Sequence, residues 1–322
     1  MSNIIAPSPE ATIPKEPWWK SYSLIVYFLI LIFIGINISN ALVTLVAYFL
    51  LDQDNSKVIE FFSNPEQYPS FRSFLMGSNG FISLISFLAP SFYFIHKTKL
   101  SLNPSLVAKE PRNTMRLLAL TLLISFSVLY PCSLVIEFNQ NISLPDFLSS
   151  FEHWARQKEN QMERLTNFLV DFDSPFQFFS GLIVLAVIPA LAEEILFRGI
   201  VQQLLHNQTK NIHIAIWVSA LMFSAVHIQF FGLLPRMLLG ALFGYLFFWS
   251  KDISIPIMAH FTNNAIALTI NYLYNTGKID FKDEFFNQAG FWVIGIYCVL
   301  VSVLIYFFRR IALGLEKKGI GN

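Results

Sequence analysis

The sequence predicts an all-α polytopic membrane protein of about eight transmembrane helices, with an amphipathic extramembrane loop between the third and fourth. Three observations carry that expectation. Of 322 residues, 54% are hydrophobic and only 13% are charged, about half the charged share of an ordinary soluble protein (about 25%). The apolar residues, 34 phenylalanines among them, come in blocks rather than evenly. Several blocks exceed the roughly 18 residues needed to cross a hydrocarbon core about 30 Å thick. Lys plus Arg (22) nearly balances Asp plus Glu (21) for a net charge of +1, so no electrostatic footprint for nucleic acid exists. Cys132 and Cys298 both lie in apolar segments, which leaves no disulfide framework and no thiolate metal cluster.

The expected spans are 22–50, 73–95, 115–136, 176–201, 212–230, 232–249, 253–275 and 288–308. They group into a tail at 1–21, three N-terminal helices over 22–136, a loop at 137–175, a four-helix core over 176–275, and a last helix with a basic tail over 276–322. The first twenty residues hold Pro7, Pro9, Pro14, Pro17, Glu10 and Glu16. They lack the short apolar core and small-residue cleavage site of a secretory signal, so the first span is expected to be retained.

Positively charged loops stay cytoplasmic. Placing both termini inside puts Lys15, Lys20, Lys97, Lys99, Lys109, Arg112, Arg116, Lys210, Lys251, Arg309, Arg310, Lys317 and Lys318 on that side. The other side holds Lys57, Arg72, Arg156, Lys158, Arg164, Lys278 and Lys282 among many carboxylates. The expectation is therefore N-in and C-in, in a bacterial inner membrane. Within the 137–175 loop, Phe147, Leu148, Phe151, Trp154, Met162, Leu165, Phe168 and Leu169 mostly recur at helical spacing. That pattern suits a helix lying on the membrane surface, either as a packed connector or as a lid over a substrate entrance. No internal repeat of the kind found in many transporters is visible.

Ionisable residues within the spans concentrate in the second half: Glu193, Glu194, Arg198, His227, Arg236 and His260. A charge at the centre of a membrane helix costs about 2.5 to 3.5 kcal/mol on insertion scales. The run Ala192-Glu193-Glu194-Ile195-Leu196-Phe197-Arg198 sums to roughly 8 to 10 kcal/mol unless paired or hydrated. It requires a cavity or internal partners. Glu194 and Arg198 stand at i and i+4 in the favourable order for an ion pair, while Glu193 projects about 100° away. One carboxylate is thus expected to be fixed and the other free to take a proton. Phe223 and His227, and His260 and Asn264, are likewise i and i+4.

A lone buried histidine is commonly a satisfied core residue, but two beside this run point to chemistry. If spans four and five turn near residues 208 and 209, His227 lies level with Ala190 and Glu193 with Ser224. Glu193, His227 and His260 then meet at one level in the cytoplasmic half. Pro189 and Pro256 each precede a site residue by four positions and free a backbone carbonyl one turn earlier.

No H-E-x-x-H helix, G-x-S-x-G elbow or intramembrane aspartate pair occurs. The remaining set of carboxylate, imidazole, imidazole and amide suits activation of water and stabilisation of an oxyanion. In that order, Glu193-Glu194-x-x-x-Arg198, Phe223-x-x-x-His227 and His260-x-x-x-Asn264 resemble the CPBP family. This family joins type II CAAX prenyl endopeptidases to bacteriocin-processing and immunity (Abi) proteins. The likeness covers roughly 176–270.

The resemblance implies an intramembrane endopeptidase acting on a membrane-associated peptide or protein, with its site open to the cytoplasmic side. Glu193 and His227 would activate the water, Glu194 and Arg198 would orient the site, and His260 and Asn264 would hold the oxyanion. Members of the family are also described as metal-dependent, and Glu193, His227 and His260 are of a type to ligate zinc with one position left for water. The sequence leaves open whether glutamate or a metal activates the water, leaning to the former because no further carboxylate is available for both roles. In a bacterial setting, prenylated substrates are not expected. A non-proteolytic scaffold or immunity partner, and a transporter, are the competing readings.

Overall fold

The computed structural model describes residues 18–102, 111–279 and 291–315, and among these the regular structure is helical throughout. Most of the expected N-terminal tail, and Lys109, Lys282, Lys317 and Lys318 of the charge count, lie outside the described residues. The order is α1 (Trp18–Leu50), α2 (Asn55–Ser63), α3 (Arg72–Ser83), α4 (Ala89–Thr98) and α5 (Pro111–Gln140). There follow α6 (Ser149–Val170), α7 (Pro175–Leu182), α8 (Ile188–Glu194), α9 (Gln202–Thr209), α10 (Ile212–Ala225), α11 (Leu233–Ser250), α12 (Ser254–Asn275) and α13 (Phe291–Ala312).

Two long rods are interrupted by wider π-helical turns rather than broken. Leu84–Leu88 joins α3 to α4, and Ile183–Val187 joins α7 to α8. Each wide turn lies just before a proline, Pro90 or Pro189. A proline removes an amide donor, and local widening is one way a membrane helix adjusts to that loss. A third π-helical stretch, Ile195–Val201, joins α8 to α9 and carries Arg198.

Six helical segments are long and apolar enough to cross a membrane: Ser23–Leu50, Pro69–Thr98, Asn113–Gln140, Pro175–Thr209, Leu233–Ser250 and Gly295–Ala312. These six are counted by length and composition among the described residues, beside the eight spans expected from hydropathy. The fifth expected span is only the 14-residue α10, about 21 Å long, and it ends before His227. The seventh, α12, has 22 residues but is not among the segments apolar enough to qualify, for its middle reads His260, Thr262, Asn263, Asn264.

Helix order gives the bundle two ends. At one end lie the start of α1, the α9–α10 and α11–α12 turns and the close of α13, where Phe308 packs with Leu117, Leu246 and Ile255. Helices α4, α9 and α11 finish there on left-handed lysines, Lys99, Lys210 and Lys251, cations suited to the negative pole of a helix. At the other end lie α2, α6 and the turn between α10 and α11. The expected amphipathic segment is α6. It carries Ala155, Leu169 and Val170 buried, while Phe147, Phe151 and Trp154 stay exposed.

Candidate functional site

The cluster starts from one buried ion pair. Glu194 and Arg198 are 0% and 1% exposed, and Arg198 Nη1 donates to Glu194 Oε1 at 2.8 Å, the expected i to i+4 pairing. Arg198 Nη2 donates to the Gly240 carbonyl of α11 at 2.8 Å. Its guanidinium lies 4.8 Å from the Phe223 ring centroid and 5.6 Å from that of Phe243. A guanidinium between aromatic faces with both arms bonded is well compensated for its lost hydration. Losing either partner of such a pair leaves an unpaired buried charge.

His260 of α12 joins the same carboxylate. Its Nδ1 lies 2.8 Å from Glu194 Oε1, and its Nε2 lies 3.9 Å from Glu193 Oε2. The ring stacks on Phe243 at 5.6 Å and meets Phe223 edge-on at 5.8 Å. The carboxylate fixes the tautomer: with Nδ1–H donating to Glu194, Nε2 faces Glu193.

Asn264, one turn after His260, donates from Nδ2 to the Leu185 carbonyl at 3.4 Å. Leu185 stands four residues before Pro189, so the carbonyl that proline frees is the one that anchors Asn264. The helices meet near the hairpin register the sequence predicts, since Ser219 Oγ donates to the Phe197 carbonyl at 3.2 Å.

His227 departs from expectation. It lies beyond the end of α10, in a turn whose next residue, Ile228, has φ +53°. A β-branched residue in the left-handed region is strained by about 1 to 3 kcal/mol. Because a carbonyl can only accept, His227 Nδ1 donates to the Phe223 carbonyl at 3.0 Å, which leaves Nε2 with its lone pair. The ring meets Phe223 edge-on at 5.5 Å, so both imidazoles rest against one phenylalanine.

The turn after His227 is clamped from α5 and α6. Phe231 N–H donates to Glu159 Oε2 at 3.2 Å, Asn139 Nδ2 donates to the Phe231 carbonyl, and Arg156 lies 4.2 Å over the Phe231 ring. Phe151 meets Phe230 edge-on at 5.2 Å. His227 therefore lies toward the α6 end of the bundle. Because α10 ends at Ala225, His227 stands at the end of that helix away from the α9–α10 turn.

The sequence also offers Glu193, His227 and His260 as a metal set. Among the described residues no three His, Cys, Asp or Glu side chains gather closely enough to hold an ion.

The structure adds residues the sequence reading missed. Phe243 stacks on His260, and the Gly240 and Gly244 carbonyls receive Arg198 and Gln202, at 2.8 and 3.1 Å. The four-residue spacing of these glycines is a small-residue signature of close helix approach. It matches the spacing of Arg198 and Gln202, but nothing local in the sequence names the facing helix.

One comparison with known proteins falls on this region. Residues 175–266 match the family model described as type II CAAX prenyl endopeptidase Rce1-like. The uncharacterized protein YpbD of Bacillus subtilis strain 168 is 33% identical over 89 residues, which are 26% of this chain and 42% of that relative. The match thus spans less than half of that relative's length. No solved structure matches.

Proposed function

We propose that this chain, with its Rce1-like segment at 175–266, is an intramembrane endopeptidase that hydrolyses a peptide bond of a membrane-associated protein or peptide. The observation that carries the reading is the buried relay Arg198–Glu194–His260, with His260 Nε2 turned to Glu193. A carboxylate that already binds a guanidinium and an imidazole is an orienting group. Its neighbour Glu193 is left for proton transfer.

In the proposed reaction Glu193, with His227 Nε2, takes a proton from water while the water oxygen bonds to the scissile carbonyl carbon. The carbonyl π electrons move to oxygen, and the oxyanion accepts hydrogen bonds from protonated His260 Nε2 and the Asn264 amide. Collapse re-forms the carbonyl, breaks the C–N bond and delivers the proton to the leaving nitrogen, giving a carboxyl group and an amine. No metal enters these steps. The expected setting is a bacterial inner membrane, with the lipid bilayer and a membrane-associated peptide or protein substrate as partners.

Quantitative peptidomics of membranes from cells carrying wild type or Glu193→Gln tests the reading. Peptides dependent on the wild type should fall roughly 10²- to 10⁴-fold, with thermal unfolding of the purified variant unchanged. Identical peptide profiles would overturn hydrolysis and favour a non-proteolytic scaffold.

A further inference from the structure

Arg236 belongs to none of the three motifs and stands in the first turn of α11, at the edge of the His227 turn. One arm of its guanidinium is held: Nη2 donates to Gln229 Oε1 at 2.5 Å. The other arm, Nη1, is buried and has no hydrogen-bond partner. A buried charged donor left unpaired costs more than an ordinary missing hydrogen bond. The backbone makes room for this arrangement, because a Cβ added at Gly232 would come within 2.9 Å of Arg236 Cζ. Gln229 and Gly232 both belong to the turn that follows His227, so the guanidinium is tied to the segment that carries that imidazole.

We propose that Arg236 is a substrate-binding residue whose unpaired Nη1–H donates to the anionic oxygen that develops on the scissile carbonyl. The inference rests on the hydrolytic reading and adds to it a donor from the turn that carries His227. The rigid fork of a guanidinium explains the choice of residue. Gln229 fixes one arm, and that fixes the direction of the other. A residue serving only as a counter-charge would not need an unoccupied donor.

The test uses the full-length protein in detergent and two ligands of the same sequence. One is a Leu-Leu phosphinic pseudopeptide, whose tetrahedral anion imitates the intermediate. The other is the neutral hydroxyethylene isostere. Wild type should bind the phosphinate at least about tenfold more tightly than the isostere, as a charge-assisted hydrogen bond allows. That ratio should fall to about one in Arg236→Gln. It should fall similarly in Gly232→Ala, which displaces only the end of a flexible side chain, with thermal unfolding unchanged. Arg236→Lys should keep part of the preference. No preference in wild type, no binding of either ligand, or an equal loss for both ligands in Arg236→Gln would overturn the assignment. These ratios are read without turnover. Loss of the Glu193-dependent cleavage result alone would overturn the hydrolytic reading while leaving Arg236 as an anion-binding residue.

Discussion

The helices around the site and the helices around the rim solve the membrane problem in opposite ways. In α1, α5 and α13 the most apolar window is only 17%, 22% and 6% buried inside the protein, against 39% for Pro175–Thr209 and 44% for α11. The rim helices meet lipid with Phe33, Phe49, Val299 and Tyr306 exposed, and hydropathy finds them easily. Of the helices next to the site, α10 is too short to span and α12 too polar to qualify. Those two lead into His227 and carry His260 with Asn264. Protein rather than lipid surrounds these two helices, so neither has to meet the length and hydropathy that a lipid-facing span needs.

The sharpest way to break that contrast is to remove one charge from each region. Arg198→Ala should destabilise by about 3 to 5 kcal/mol, because it leaves Glu194 buried without its counter-charge. Lys57→Ala at the exposed Asp52 pair should leave unfolding unchanged. Reversible unfolding in mixed micelles measures both. An equally silent Arg198→Ala would mean that water, rather than the pairing, supports the cluster.

Two glycines give a smaller and cleaner contrast. A Cβ at Gly244 would meet Gln202 Oε1 at 2.8 Å and Ile216 Cγ2 at 2.9 Å, whereas one at Gly295 of α13 would meet nothing within 4 Å. Gly244→Ala should therefore cost about 1 to 3 kcal/mol as overpacking. Gly295→Ala should gain up to about 1 kcal/mol from helix propensity. If both changes had the same sign in the same unfolding assay, close approach of α11 to α9 and α10 would not limit packing.

The same division explains what could be read in the sequence. The spacing of Glu194 and Arg198 is a property of one helix, and so their pairing was legible before any fold existed. So was the consequence of Pro189, a carbonyl freed at Leu185, though not that Asn264 of another helix would fill it. Phe243 and the Gly240 carbonyl were not legible as site groups, because their roles depend on which helix α11 faces. Hydropathy and helix length disagree at the fifth expected span. The apolar run over 212–230 continues past Ala225, yet the helix stops there and Ile228 turns left-handed. Two hydrogen bonds and two ring contacts from α5 and α6 to Phe230 and Phe231 outweigh that local strain.

The clamp itself yields the smallest expected effect. Glu152 of α6 accepts the Leu144 N–H at 2.8 Å and the Arg156 Nε–H at 2.8 Å. Arg156 also donates to the Ile142 carbonyl at 2.9 Å while covering the Phe231 ring. The Leu144 amide, and after it Arg156, hold the Glu152 carboxyl below the usual glutamate range. A carboxylate whose folded pKa is depressed contributes stability above its unfolded pKa and loses it as pH falls through the folded value. Hydrogen exchange over residues 141–156 should accordingly rise as pH drops below the ordinary glutamate range, after correction for the intrinsic exchange rate, and Glu152→Gln should show that faster exchange already at neutral pH. Because Glu152 is solvated, global unfolding should barely move in either case. Protection that stayed constant through acidification would detach Glu152 from the clamp and leave Glu159 and Asn139 to hold the His227 turn.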